Sequence, residues 1–279
     1  MRCAQIWALL SVFLVPSSAS ASVDRMVTSA EHLLEKVKYE EMAGYAMRFK
    51  VAADSADTDV DLHGVYGEMP LRAIAEVLDH DAVRQLADQP GACFADFGSG
   101  AGRLLLGVAA MQSWDKILGV EASRDLHALA TDAIARSTMA NVMSIHTNGS
   151  PHESPAGEAL TEADVLFAYS TAFPSEDGLR LPELSASLAC ILRDGSVAIT
   201  TDKFLVGDRF IFEAMLPVPG SDGETIHVFI WRVRGPQAPD YASALADVNA
   251  RWMGEDACAQ NEAACEALMA VLGDVGEDD

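Results

Sequence analysis

Cys93–Glu121, CFADFGSGAGRLLLGVAAMQSWDKILGVE, decides the fold. A short apolar run ends in an acid, Asp96, and is followed by Gly98, Ser99, Gly100, Ala101 and Gly102. An apolar helical stretch then runs from Leu104 to Met111, and a second apolar run, Ile117 to Val120, ends in Glu121. Strand, glycine turn, helix, strand is one right-handed crossover unit with an acid at the carboxyl end of each strand. Open parallel sheets bind their ligands at those ends. Glycine lets the chain take positive φ and lets a ligand lie against backbone with no Cβ in the way.

The dinucleotide fingerprint GxGxxG requires a third glycine at position 103, where this chain has Arg103. The pattern present is DxGxGxG, Asp96 to Gly102. It resembles motif I of the seven-stranded S-adenosyl-L-methionine (AdoMet) methyltransferases. The resemblance implies that Gly98, Ser99, Gly100 and Gly102 cradle the methionine end of AdoMet, with Asp96 beneath it near the ammonium. Glu121, 25 residues after Asp96, is then the charged acceptor for both ribose hydroxyls. A βαβ turn that needs glycine for packing alone is the alternative; the second acid, standing where a ribose partner is needed, favours a ligand.

Upstream, Tyr66-Gly67-Glu68 precedes a helical pattern at Leu71, Ile74, Ala75 and Leu78. This triplet resembles the loop that closes over AdoMet in the disruptor-of-telomeric-silencing type of lysine methyltransferase, which implies that Tyr66 and Glu68 touch the methionine end. A plain helix start, with Glu68 and Pro70 near its first turn, reads the same residues without a ligand. Downstream, Ser123 to Ser137 is helical with Ser123 as N-cap, and Val142 to Thr147 reads as the third strand. His127 in that helix reads as structural. After the third strand the family places an adenine-reading residue; this chain has Gly149 and Ser150 there and no acid, so backbone and hydroxyl groups would make the contact.

Asp164 to Ser170 is a near-continuous apolar run, a strand buried on both faces. It leads into Thr171-Ala172-Phe173, where the resemblance places reactive-site residues. The telomeric-silencing enzymes carry two asparagines followed by Phe-Ala-Phe; here Tyr169, Ser170 and Thr171 replace the first three, while Ala172 and Phe173 match. Tyr169, Ser170, Thr171 and Phe173 are therefore the candidate catalytic residues. The two rings would line an acceptor channel, where an aromatic face stabilises a cation, with packing in the core as the alternative; Ser170 or Thr171 would position the acceptor. A helix over Leu179 to Leu192, a strand over Ser196 to Thr201, the family-like Asp202-Lys203-Phe204, and strands Phe210 to Val218 and Thr225 to Val233 complete the pattern. A terminal β-hairpin after alternating strands and helices predicts an α/β, Rossmann-like seven-stranded sheet, mostly parallel, with one antiparallel strand. A nicotinamide-binding fold would continue with another crossover, so Arg103 and the hairpin both count against an oxidoreductase.

The ends are read separately. Residues 1–21, with Arg2, an apolar core of about twelve residues and Ala19-Ser20-Ala21, read as a cleavable secretory-type signal. That places the protein in the secretory route or, if the signal opens a two-part address, in an organelle; a buried N-terminal helix or a misplaced start is the alternative. The core falls short of the roughly 20 residues a membrane span needs. Residues 22–90 form an N-terminal helical segment with the cofactor-closing loop, residues 91–235 the AdoMet-binding domain, and residues 236–279 an acidic, alanine-rich helical tail. Formal charge is −23, and −24 once Arg2 is removed with the signal. So acidic a chain is repelled by phosphate backbones and favours a basic partner over nucleic acid. Cys93 and Cys190 sit in apolar runs as small core residues, and no His/Cys grouping suggests a metal. Together these readings describe an AdoMet-dependent methyltransferase acting on a protein lysine or similar amine, with a non-catalytic AdoMet-fold binding protein as the alternative.

Overall fold

The structure, a computed structural model, describes residues 21–41, 67–147, 155–175, 177–221, 223–253 and 266. Among them seven strands form a single sheet: β1 (Cys93–Phe97), β2 (Lys116–Glu121), β3 (Val142–His146), β4 (Val165–Ala168), β5 (Val197–Thr201), β6 (Phe210–Pro219) and β7 (Thr225–Val233). Their order across the sheet is β3-β2-β1-β4-β5-β7-β6. All pairs are parallel except β5–β7 and β7–β6, so β7 alone runs against the rest. The expected hairpin is present, and beyond its last strand pair Gly220 N–H donates to Glu224 O at 2.8 Å.

The inner strands β1, β2, β4 and β5 are buried almost throughout because both of their faces are covered, whereas the edge strands β3 and β6 are largely half-buried or exposed. Along β1, Phe94 faces one side while Cys93 and Ala95 face the other. The first face is covered by α1 (Ala21–Val37), α2 (Leu71–Asp79), α3 (Asp81–Ala87), α4 (Arg103–Met111) and α5 (Arg124–Ser137). The second is covered by α6 (Pro155–Leu160), α7 (Pro182–Ile191) and α8 (Tyr241–Trp252). Helix α1 packs on α4 and α2 through Ala30, Leu33, Leu34 and Val37. Burial of each large side chain there contributes about 1.5–3 kcal/mol relative to exposure. Between the sheet and α4 there is no spare room at Gly119 of β2: a Cβ on it would stand 2.5 Å from Leu105 Cδ1 and 2.6 Å from Ser99 Oγ.

Several boundaries differ from the sequence expectation. The first helix is Ala21–Val37, beginning one residue before the N-terminal helical segment expected from residue 22. The fourth strand stops at Ala168, because Ser170–Ala172 turn into a short 3₁₀ segment. Leu179 and Arg180 are not helical, since Arg180 bridges to Phe204 and Pro182 starts α7. Helices α3 and α6, at seven and six residues, are too short for a periodic pattern to mark them. In the tail, residues 236–240 are not helical and α8 covers Tyr241–Trp252; beyond it only Met253 and Glu266 of the expected helical region are among the described residues. Ser123 caps α5 as expected, its hydroxyl accepting from Leu126 N–H at 3.4 Å.

Candidate active site

The glycine turn occupies the carboxyl edge of β1 and β2. Gly98, Gly100 and Gly102 all have positive φ (85°, 53° and 87°), a conformation that a side chain disfavours. Gly98 and Ser99 donate their N–H groups to Val120 O at 2.8 and 3.0 Å, binding the turn to the end of β2. Glu121 then ties the turn to the start of α5: one carboxylate oxygen accepts from Gly100 N–H at 2.7 Å and the other from Ser123 N–H at 2.7 Å. A carboxylate has about four acceptor positions. Glu121 therefore keeps capacity for two further hydroxyl donors after fixing the turn.

Asp96 sits opposite Gly119 in the β1–β2 register and is buried. Burial, with the Glu121 carboxylate as a second anion nearby, pushes its carboxyl well above the usual range. A buried acid in that state is relieved by a cation. Gly98, whose missing Cβ would have Phe173 Cζ as its nearest neighbour at 3.8 Å, leaves bare backbone at the same place. A cationic amino-acid end at Asp96 and a diol at Glu121 fit AdoMet.

The closing loop approaches from the other side. Gly67 lies so near the Tyr169 ring that a Cβ on it would be 3.0 Å from Cε1. Glu68 accepts from Arg103 Nη1 at 3.0 Å on one oxygen and from the Tyr39 hydroxyl on the other, and its carbonyl accepts from Ser221 Oγ at 3.4 Å. Tyr39 is fully buried behind α1. The arginine at the position a dinucleotide fold reserves for glycine thus clasps the loop to the first turn of α4.

The carboxyl ends of β4 and β5 complete the edge. Tyr169 is half-buried against Gly67, and burial raises its phenol above the ordinary range, with Asp202 and Glu224 adding to the rise. Phe173 packs on Phe97 with ring centroids 6.0 Å apart. Ser170 is fully buried; its hydroxyl donates to Thr201 O at 2.8 Å and accepts from Thr201 N–H at 3.0 Å, so it fixes β4 to β5. Thr171 is exposed and donates to Asp202 Oδ2 at 2.6 Å. Burial would raise the Asp202 carboxyl, but hydrogen bonds from His227 and Thr171 outweigh it and hold the group below its usual value. The Lys203 ammonium is turned onto the Phe173 carbonyl.

Asp96, Gly98, Ser99, Gly100, Gly102, Glu121, Glu68, Tyr169, Thr171 and Phe173 therefore share one edge of the sheet, with Ser170 buried beneath it. Tyr66, Gly149 and Ser150 lie outside the described residues. Sequence reasoning missed Arg103, Thr201, Asp202 and His227 as members of this edge. The signal for two of them was the Thr201-Asp202 pair at the carboxyl end of the strand beside β4. Nothing local to His227 points there. His127 is structural as read, bonded through Nδ1 to Ser144 Oγ at 2.9 Å.

A mostly parallel seven-stranded sheet, closed by an antiparallel hairpin and carrying a glycine turn between two strand-ending acids, defines the AdoMet-dependent methyltransferase class. A family model, histone methylation protein DOT1, matches residues 59–208, more than half of the chain, and the protein belongs to that family. Its cofactor is accordingly AdoMet. Among solved structures, an RNA methyltransferase from Salinibacter ruber in complex with S-adenosyl-L-homocysteine is 20% identical at a TM-score of 0.42, covering 63% of this chain and 99% of that one. The putative methyltransferase yhhF from Escherichia coli is 14% identical at 0.44, covering 59% and 87%. TrmN from Thermus thermophilus is 16% identical at 0.43, covering 58% and 52%. No curated protein matches the sequence.

Proposed function

We propose that this methyltransferase modifies an amine on a basic protein, a lysine side chain in the first instance, and does not act on nucleosomes. One observation carries the reading: at the carboxyl edge of the sheet each bare glycine backbone faces an aromatic ring, Gly67 that of Tyr169 and Gly98 of the glycine turn that of Phe173. Two aromatic faces beside a cation-seeking acid suit a positively charged acceptor chain next to a sulfonium. When bound, AdoMet supplies an electrophilic methyl group. Asp96 and Glu68 would face the positive charge of its amino-acid end, and Glu121 would accept from the ribose hydroxyls. Tyr169 and Phe173 exclude water from the acceptor, and a desolvated ammonium loses its proton more readily. Orientation of the acceptor then supplies several kcal/mol of the barrier reduction. The net charge of −23 supports a basic target and disfavours a phosphate-rich one.

A second reading, a protein that binds AdoMet without turnover, is favoured by the engagement of both Ser170 hydroxyl functions within the fold. Of residues 1–21, read as a signal, only Ala21 is among the described residues, at the first position of α1; with that reading, we propose a secretory or organellar compartment. Transfer of labelled methyl from AdoMet to total-protein and small-molecule fractions separates the two readings. Label in protein that survives as methyl-lysine after hydrolysis is expected. Label confined to small molecules overturns the protein substrate, and micromolar AdoMet binding with no label in either fraction supports the binding protein.

A further inference from the structure

We propose that Tyr39, just beyond α1, is a positioning residue for the cofactor: its hydroxyl orients the Glu68 carboxylate, so that a helix outside the sheet sets the affinity for the amino-acid end of AdoMet. This rests on the reading of Glu68 as an acid that faces that end.

Tyr39 reaches Glu68 because of the way α1 ends. The helix is anchored on α4 and α2 through Ala30, Leu33, Leu34 and Val37. Directly after it Lys38 has a left-handed backbone (φ 59°), uncommon for a residue with a side chain, and its N–H bonds Glu35 O at 3.0 Å. The chain turns there, and the next side chain, Tyr39, is fully buried. A buried phenol needs a hydrogen-bond partner, whereas a phenylalanine ring would fill the same space without one. The partner is not in α1: the hydroxyl donates to Glu68 Oε1, 29 residues further along the chain.

Glu68 is held from several parts of the chain at once. Oε1 accepts from Tyr39, Oε2 from Arg103 Nη1 at 3.0 Å, and the carbonyl from Ser221 Oγ at 3.4 Å. Before it Gly67 lies against the Tyr169 ring, and after it Met69 is buried in the core. A donor on each oxygen fixes the plane of the carboxylate, and its four or so acceptor positions leave room for an ammonium. A carboxylate oriented in advance loses little freedom when the ligand arrives, and affinity gains by that amount. Arg103 is placed by the glycine turn itself, as the first residue of α4. Tyr39 brings the other donor from a helix that contributes no strand or turn to the edge.

The test is calorimetric binding of S-adenosyl-L-homocysteine, and of 5′-methylthioadenosine, which lacks the amino-acid end, to the full chain. Tyr39→Phe keeps the ring and removes the donor. It should bind S-adenosyl-L-homocysteine about tenfold more weakly than the parent, the effect of one hydrogen bond to a charged group, and 5′-methylthioadenosine within about twofold. In a Glu68→Ala background the same substitution should change neither affinity further, because Tyr39 acts through Glu68. Equal losses for the two ligands, as a merely structural role would give, overturn the proposal. So does an unchanged affinity for S-adenosyl-L-homocysteine, or a further loss in the Glu68→Ala background. Should the parent bind neither ligand, the placing of AdoMet at this edge falls instead, and amide exchange at residues 67–69 of the free chain decides whether Tyr39 holds Glu68. Faster exchange there in Tyr39→Phe, with β1 unchanged, supports the orienting bond; equal exchange overturns it.

Discussion

The two halves of the active edge are built by different means. On the β1–β2 side the glycine turn and both acids lie within the 31 residues from Cys93 to Ser123, tied by backbone hydrogen bonds and the two oxygens of Glu121. On the β4–β5–β7 side Thr171 meets Asp202 across 31 residues, and Asp202 meets His227 across a further 25. The first half is a local motif with a fixed ligand chemistry. The second is assembled from separate strands, each free to change its side chain without disturbing the turn. A fold of this kind can therefore keep its cofactor while exchanging its acceptor.

The contrast is most severely tested at Gly119, where the turn rests on β2. Gly119→Val should destabilise the fold by about 3 kcal/mol, since the new side chain overlaps Leu105 and Ser99. A large fall in the urea midpoint together with loss of AdoMet binding is expected; a midpoint unchanged from the parent would show that the turn does not depend on this seat.

Asp96→Asn should weaken AdoMet about 100-fold while stabilising the free protein. The sign follows from the raised carboxyl. A group whose pKa is higher folded than unfolded favours the fold below its unfolded value, near 3.9 for Asp, and loses that contribution as pH rises through the folded value. The amide carries no such loss, so the urea midpoint of Asp96→Asn should exceed the parent's at pH 7 and converge with it near pH 4. A variant less stable than the parent at pH 7 would contradict a strained carboxyl.

The clasp between the halves carries a smaller effect. Arg103→Ala removes the guanidinium that Glu68 accepts from, and should lower the local stability of residues 67–69 by about 1–2 kcal/mol. Amide exchange at those positions, faster in the variant and unchanged in β1, is the expected readout. Exchange unaltered at 67–69 would mean the loop closes without the arginine.

Smallest is the loop behind Phe173, a feature of the acceptor half alone. Burial would raise the Asp177 carboxyl, but N–H groups of Arg180 and Leu179, the Arg180 guanidinium and the Ser175 hydroxyl lower it to about 2. A depressed carboxyl stabilises the fold above its unfolded value and loses that stabilisation as pH falls through the folded one. Asp177→Asn should therefore be about 1 kcal/mol less stable at pH 7. The gap should close between pH 4 and 2, with AdoMet affinity unchanged throughout. A gap that persists at pH 2 would assign the effect to something other than the carboxylate.

How much of this was legible in the chain depended on distance along it. The glycine turn, both strand-ending acids, the N-cap at Ser123 and the terminal hairpin could be read because backbone conformation and period are set by neighbours in sequence. Arg103 was visible only as a departure from another fingerprint; its partner Glu68 lies 35 residues away. Ser170 was read as a residue facing the acceptor, and its burial against Thr201 depends on β5 lying beside β4.

The sequence by itself determined a parallel sheet with a terminal hairpin, and a bare turn between two carboxylates, since glycine freedom and apolar period act over a few residues. Only the tertiary structure decided which polar groups meet at the carboxyl ends of β4 and β5. Hydrogen bonds between neighbouring strands depend on strand order and register, which place Thr171, Thr201, Asp202 and His227 within bonding distance although no local pattern links them.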